Sequence, residues 1–138
     1  MEDIKSINIT VPGNPTGKAR HRSFINKKGN IQTYNTYSNN SYEGHIRWIY
    51  KSRYRNFMLC GAVAVSISAY KKTKVKSKIG AACTAKPDID NIAKIVMDAL
   101  SGFAYKDDSC VAQLVCSKMY SGEPRVEVLA WQIQPTAT

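Results

Sequence analysis

The stretch from Pro87 to Gly102 constrains this chain more than any other, because it carries a start signal, a stop signal and a single apolar stripe. Pro87 restrains Lys86 to an extended conformation, Asp88 is a good N-cap for a helix beginning at Ile89, and Gly102 suits its end. Between them Ile89, Ile92, Ala93, Val96 and Leu100 recur at helical spacing. Such a helix must lie against an apolar surface. Asp90, Lys94 and Asp98 then fall on its opposite face, each one turn from the next.

The rest of the chain supplies that surface as strands. Ile4 to Val11 alternates, with Ile7, Ile9 and Val11 on one side, and Pro12-Gly13-Asn14-Pro15 stops it. Asn26 to Asn30 reads as a turn between short extended pieces. Ser41 to Phe57 has helical periodicity, with Ile46, Ile49, Tyr50 and Phe57 inward, Arg47, Lys51, Arg53 and Arg55 mostly outward, and Ser38, Asn39 or Asn40 as its cap. Leu59 to Tyr70 suits a central strand. Val111 to Met119 and Arg125 to Ile133 read as two strands joined in a hairpin by Ser121-Gly122-Glu123-Pro124. The 138 residues fit one α+β domain, with a mixed sheet of about four strands carrying two main helices. The lysine-rich segment 71–80 and the tail 134–138 are expected to be mobile.

Charge narrows the function. Twenty basic against ten acidic residues give a net charge of +10, which attracts phosphate polymers whatever their sequence. From Lys18 to Lys78 there are fourteen Lys or Arg and a single acid, Glu43, whereas five of the ten acids lie between Asp88 and Asp108. Lys18, Arg20 and Arg22 in the loop after the first strand, Lys72, Lys74 and Lys76 in the lysine run, and Lys86 are the candidate phosphate contacts; a solvated basic surface is the plain alternative. The longest apolar stretch, Phe57 to Ala69, is too short and polar to span a bilayer, no secretory signal is visible at the N-terminus, and a cytoplasmic protein is expected. Cys60, Cys83, Cys110 and Cys116 lack paired zinc-site spacing and read as small buried side chains.

The acidic segment carries the chemistry. Asp88 and Asp90 stand together at a helix N-terminus with Lys94 one turn above, and Asp107-Asp108 precede a strand that could return them beside Asp88. Adjacent carboxylates repel unless a cation neutralises them, and Mg²⁺ takes one or two carboxylates together with water and phosphate oxygens. Spacing alone equally fits a capping aspartate, an exposed Asp90–Lys94 pair and an ordinary acidic turn.

The ordered set Lys86-Pro87-Asp88-Ile89-Asp90-Asn91, Lys94, Asp98-Ala99-Leu100-Ser101-Gly102 and Asp107-Asp108-Ser109-Cys110-Val111 resembles the signature of the RusA family of Holliday junction resolvases. Lys118 and the basic opening from Pro12 to Arg22 extend the likeness. The resemblance implies a dimeric, Mg²⁺-dependent endonuclease, with Mn²⁺ able to substitute, that nicks opposed strands of a four-way DNA junction. By position it implies Asp88, Asp90 and Asp108 as metal ligands and Lys94 as the catalytic lysine. Pro87 stands where a basic residue can precede the first aspartate, so Lys86 or the lysine run would take that DNA contact.

Overall fold

A computed structural model describes residues 4–19, 22–25, 27–34 and 37–134, with the backbone alone at 22–25, 31–34, 37 and 38. Six strands and two helices follow in the order β1 (Ser6–Pro12), β2 (Arg22–Ile25), β3 (Ile31–Tyr34), α1 (Tyr37–Tyr54), β4 (Val63–Lys72), α2 (Ile89–Leu100), β5 (Val111–Ser121) and β6 (Arg125–Gln132). The four-stranded sheet has the order β1-β6-β4-β5, with β4 and β5 parallel and the other neighbours antiparallel. β2 and β3 form a separate antiparallel hairpin around the expected turn, where Gly29 takes a positive φ of 84°. This is the expected α+β domain with one mixed sheet and two helices.

Alternation along the strands decides which face is covered. The row Ile9–Val128–Ile67–Cys116 runs across all four strands under the helices, while Thr10–Glu127–Ser68–Ser117 runs across the open face. Ile7, Val11, Val65, Ala69, Val126 and Ala130 join the buried side, and Ile46, Tyr50, Ile92, Ile95, Val96, Ala99 and Leu100 cover it from the two helices. Parallel β4 and β5 need a crossover connection, and α2 is that crossover. The segment bearing the acidic cluster is therefore laid across the sheet by topology.

Several expectations are corrected. β5 and β6 are not a hairpin, since β4 lies between them. Strands lie about 4.8 Å apart, so passing over one strand takes roughly 10 Å, which the short turn 122–124 can cover; its length does not tell adjacent strands from next-but-one. β4 begins at Val63 rather than Leu59. α1 begins at Tyr37, a turn earlier than its apolar residues indicate, because its buried stripe opens with polar Asn39 and Glu43 before Ile46 and Tyr50. Asn39 is thus no cap: its side chain accepts from the Ala19 amide at 2.9 Å and donates to the Ala19 carbonyl at 3.0 Å. Ile89 is exposed, and Ile95 and Ala99 take its place in the α2 stripe.

The lysine-rich segment is not a free hairpin. Thr73 donates to Ser121, Gly80 to Tyr120 and Cys83 to Lys118, and Tyr120 donates back to Ala81, so the segment is laced onto the outer half of β5. Lys72, Lys74 and Lys76 remain exposed on it. All four cysteines are free, and Cys60 is exposed rather than buried. Of the tail, only Gln134 lies within the described residues.

The loop after β1 packs tightly on the start of α2. The Lys18 amide donates to the Asn91 carbonyl at 2.8 Å, and a Cβ at Gly17 would meet the Pro87 Cβ at 2.8 Å and the Asn91 Cβ at 3.1 Å. Backbone this close leaves room for glycine only. Gly17→Ala is expected to destabilise the fold by about 1–3 kcal/mol, read as a lower urea midpoint with an unchanged slope.

Candidate active site

The outer face of α2, the turn at Asp108 and the side chain of Leu114 on β5 border an open cleft of about 300 Å³. Asp90, Lys94 and Asp98 line it from α2, with Ala93 and Met97 between them and Asp108 opposite. Eight residues of helix rise about 12 Å, so Asp90 stands toward one end of this wall and Asp98 toward the other. Asp90, Lys94 and Asp108 thus border one cleft, but Asp88, beside which Asp107-Asp108 were expected to return, is not among its lining residues. Asp98 is a fourth polar member, whose place on the Asp90 face was readable from spacing but whose partners were not.

Asp108 opens a single 3₁₀ turn, Asp108–Cys110, directly before β5. Asp107 caps that turn, accepting from the Asp108 amide at 2.7 Å and from the Ser109 hydroxyl at 3.1 Å. The neighbouring carboxylates thus divide their work, with Asp107 committed to the backbone and Asp108 turned to the cleft. Asp108 Oδ1 is buried with no hydrogen-bond partner among the described residues. Burial, chiefly, raises the Asp108 pKa above its ordinary value, helped by the charge and contact of Asp98 and by Asp107 and opposed by Lys94.

Lys18, expected to contact phosphate, is turned inward. Its ammonium pairs with Glu43 and lies 3.2 Å from Asp98 Oδ2, and its side chain is only 9% exposed. Burial lowers the Lys18 pKa, but Glu43 and Asp98 together outweigh that and raise it overall. The reason is positional: Gly17 brings the loop against α2, which sets the ammonium beside Asp98 of α2 and Glu43 of α1. Arg20 lies outside the described residues, and Arg22 is described only as backbone in β2. Arg47, read as mostly outward, donates to the carbonyls of Ala99 at 3.0 Å and Asp98 at 3.3 Å, satisfying the last turn of α2.

Asp88 occupies the N-cap position with extended backbone, yet its side chain makes no capping bond. It pairs instead with Lys86 Nζ at 3.1 Å, is half exposed, and is not among the residues bordering the cleft. The bend before it is held by lysines: Lys118 Nζ donates to the carbonyls of Ala85 at 2.8 Å and Pro87 at 3.0 Å, and Lys71 donates to the carbonyl of Lys86. Lys86 itself is 85% exposed on its side chain and free to reach outward beyond Asp88.

The donor set suits a hard divalent cation such as Mg²⁺. It offers carboxylate oxygens, one of them buried without a partner, at an open mouth with room for water and phosphate oxygens. Among the described residues no three His, Cys, Asp or Glu side chains close on one point. A protein cage is thus not formed, and waters and substrate oxygens would complete the shell of a bound ion.

Comparison with known proteins fixes the family. The family model described as endodeoxyribonuclease RusA matches residues 12–129, which span the loop bearing Lys18, both helices and the cleft. This chain belongs to the RusA endodeoxyribonuclease family. It is also similar to YqaN of Bacillus subtilis (strain 168), an uncharacterised protein, at 33% identity over an alignment 138 positions long that covers 92% of this chain and 96% of that one. Membership in the RusA family agrees with the motif resemblance, and the structure gathers Asp90, Lys94 and Asp108 from that motif around one cleft. No helix among the described residues is long and apolar enough to cross a membrane.

Proposed function

We propose that this RusA-family protein is a Mg²⁺-dependent endonuclease that resolves four-way DNA junctions by paired nicking in recombination and repair, acting in the cytoplasm as a homodimer. One observation carries the reading: in a chain of this family, Asp90, Lys94 and Asp108 meet at a single open cleft where an oxygen of Asp108 lacks any partner. Asp90 and Asp108 would hold the ion, and Asp88, one residue outside the helix and paired with Lys86, would be available to join them once DNA draws Lys86 away. When bound, Mg²⁺ supplies an acidified water and neutralises charge at phosphorus, with Mn²⁺ able to replace it. Lys94, 63% exposed on its side chain, reaches the scissile phosphate and stabilises the charge on the departing 3′ oxygen.

DNA is held by its phosphates. Lys86 stands beside the α2 N-terminus, and Lys72, Lys74 and Lys76 are exposed on the segment laced onto β5; Arg20 and Arg22 are further candidate contacts from the sequence, their side chains lying outside the described residues. Two-fold pairing of subunits would present two such clefts to symmetry-related strands. Trp48, 67% exposed on α1, is a candidate for that contact; Tyr34 and Tyr37, the other aromatic candidates, have side chains outside the described set.

The test is a panel of labelled four-way junction, flap, duplex and RNA substrates, each with Mg²⁺ and with chelator. Symmetric nicking of the four-way junction that stops on chelation is expected. Preference for a flap or RNA would overturn the substrate, and binding without cutting would leave a non-catalytic branched-DNA-binding protein.

A further inference from the structure

The buried Lys18 is idle in the chemistry above, yet its surroundings tie it to the cleft. Its Nζ and that of Lys94 approach the same atom, Asp98 Oδ2, at 3.2 Å and 3.6 Å. Lys18 is the more buried of the two and the closer; Lys94 is mostly exposed and only loosely engaged. Glu43, with its side chain 7% exposed, anchors Lys18 from α1, and Arg47 Nη2 lies 3.8 Å from the other Glu43 oxygen. Asp98 also lines the cleft together with Asp108, so a single carboxylate borders two members of the proposed machinery.

From this we infer that Lys18 is a positioning residue: by neutralising Asp98 from below, it keeps that carboxylate from capturing Lys94 and leaves the Lys94 ammonium free to meet phosphate. Two ammonium groups at one oxygen repel each other, and the more buried one is held closer because the low-dielectric interior strengthens its attraction. Remove Lys18, and Asp98 keeps one cation only, Lys94, which is drawn down onto it. Glu43 serves by fixing the Lys18 ammonium at the right depth. The role departs from a phosphate contact, because an ammonium under the surface and saturated by two carboxylates has nothing to offer DNA. The inference rests on the proposed role of Lys94.

The experiment compares wild type, Lys18→Met, Lys18→Met/Asp98→Asn and Glu43→Gln, with thermal melts establishing that each is folded. The first readout needs no turnover: acetylation of Lys94 by acetic anhydride, followed by mass spectrometry. Lys18→Met should slow it several-fold, and adding Asp98→Asn should restore it, because the competing carboxylate is gone. The second is junction cleavage under single-turnover conditions, expected to fall about 10–100-fold in Lys18→Met and to recover in part in the double variant. The third is the salt dependence of junction binding without divalent metal, whose slope should not change. A slope reduced by about one unit would make Lys18 a phosphate contact and overturn the inference. So would Lys94 labelling unchanged in both Lys18→Met and the milder Glu43→Gln while melting points fall, since that is a merely structural ion cluster. Failure of the wild type to cut junctions, with the labelling pattern as expected, would instead sink the nuclease reading and leave the positioning of Lys94 standing.

Discussion

Asp90→Asn is expected to reduce cleavage of a four-way junction by about 10²–10³-fold while leaving junction affinity intact. Asparagine keeps the size and one acceptor oxygen of the side chain but removes the charge that a divalent ion requires. Asp90 is exposed on the polar face of α2, so neither core packing nor a helix cap is disturbed. Removing a negative charge beside bound phosphate cannot weaken electrostatic attraction, and gel-shift affinity in chelator should equal or exceed that of the wild type. Undiminished cutting by a folded Asp90→Asn protein would remove Asp90 from the site.

Asp108→Asn should abolish cutting and at the same time make the metal-free protein more stable at neutral pH. The sign follows from the raised pKa of Asp108, for which burial is the leading cause and the Asp98 charge the next. A folded-state pKa above the unfolded one means that the native protein binds this proton more tightly. The stabilisation is complete below the unfolded pKa and is lost as pH rises through the folded one. As pH rises through that value the wild type comes to hold a half-buried carboxylate with one oxygen unpartnered, a burden that asparagine lifts. Melting curves in chelator from acid to neutral pH should show the variant ahead at neutral pH and level with the wild type below the ordinary carboxylate range. A variant that melts lower at neutral pH would mean that Asp108 has a stabilising partner, against the geometry described above.

Much of this architecture was legible because local signals and burial agree. α2 runs over the predicted residues, since Asp88, Gly102 and the apolar stripe are all fixed by neighbours in sequence. β1 and β6 alternate cleanly because each has one covered face. What escaped were features fixed by long-range partners. Asn39 and Glu43 continue the inward spacing of Ile46 and Tyr50, but as polar residues they looked external; partners such as Ala19, Lys18 and Arg47 make their burial tolerable. Extending that spacing one turn upstream could have found them. Lys18 looked like its basic neighbours, and nothing in its local sequence marks it as buried. The insertion of β4 between β5 and β6 is likewise a matter of which edge was vacant, and a three-residue turn carries no record of that.

Cationic side chains hold α2 just before its start and at its last turn. Lys71 and Lys118 grip the carbonyls just before it, and Arg47 grips those of its last turn. A polyanion arriving at Asp90 and Asp98 pushes on those carboxylates, and a loosely seated helix would recoil from the load. Clamped at each end, α2 behaves as a beam on two supports: the repulsion is borne by the sheet through β5 and by α1, and the wall of the cleft keeps its place under the approaching duplex.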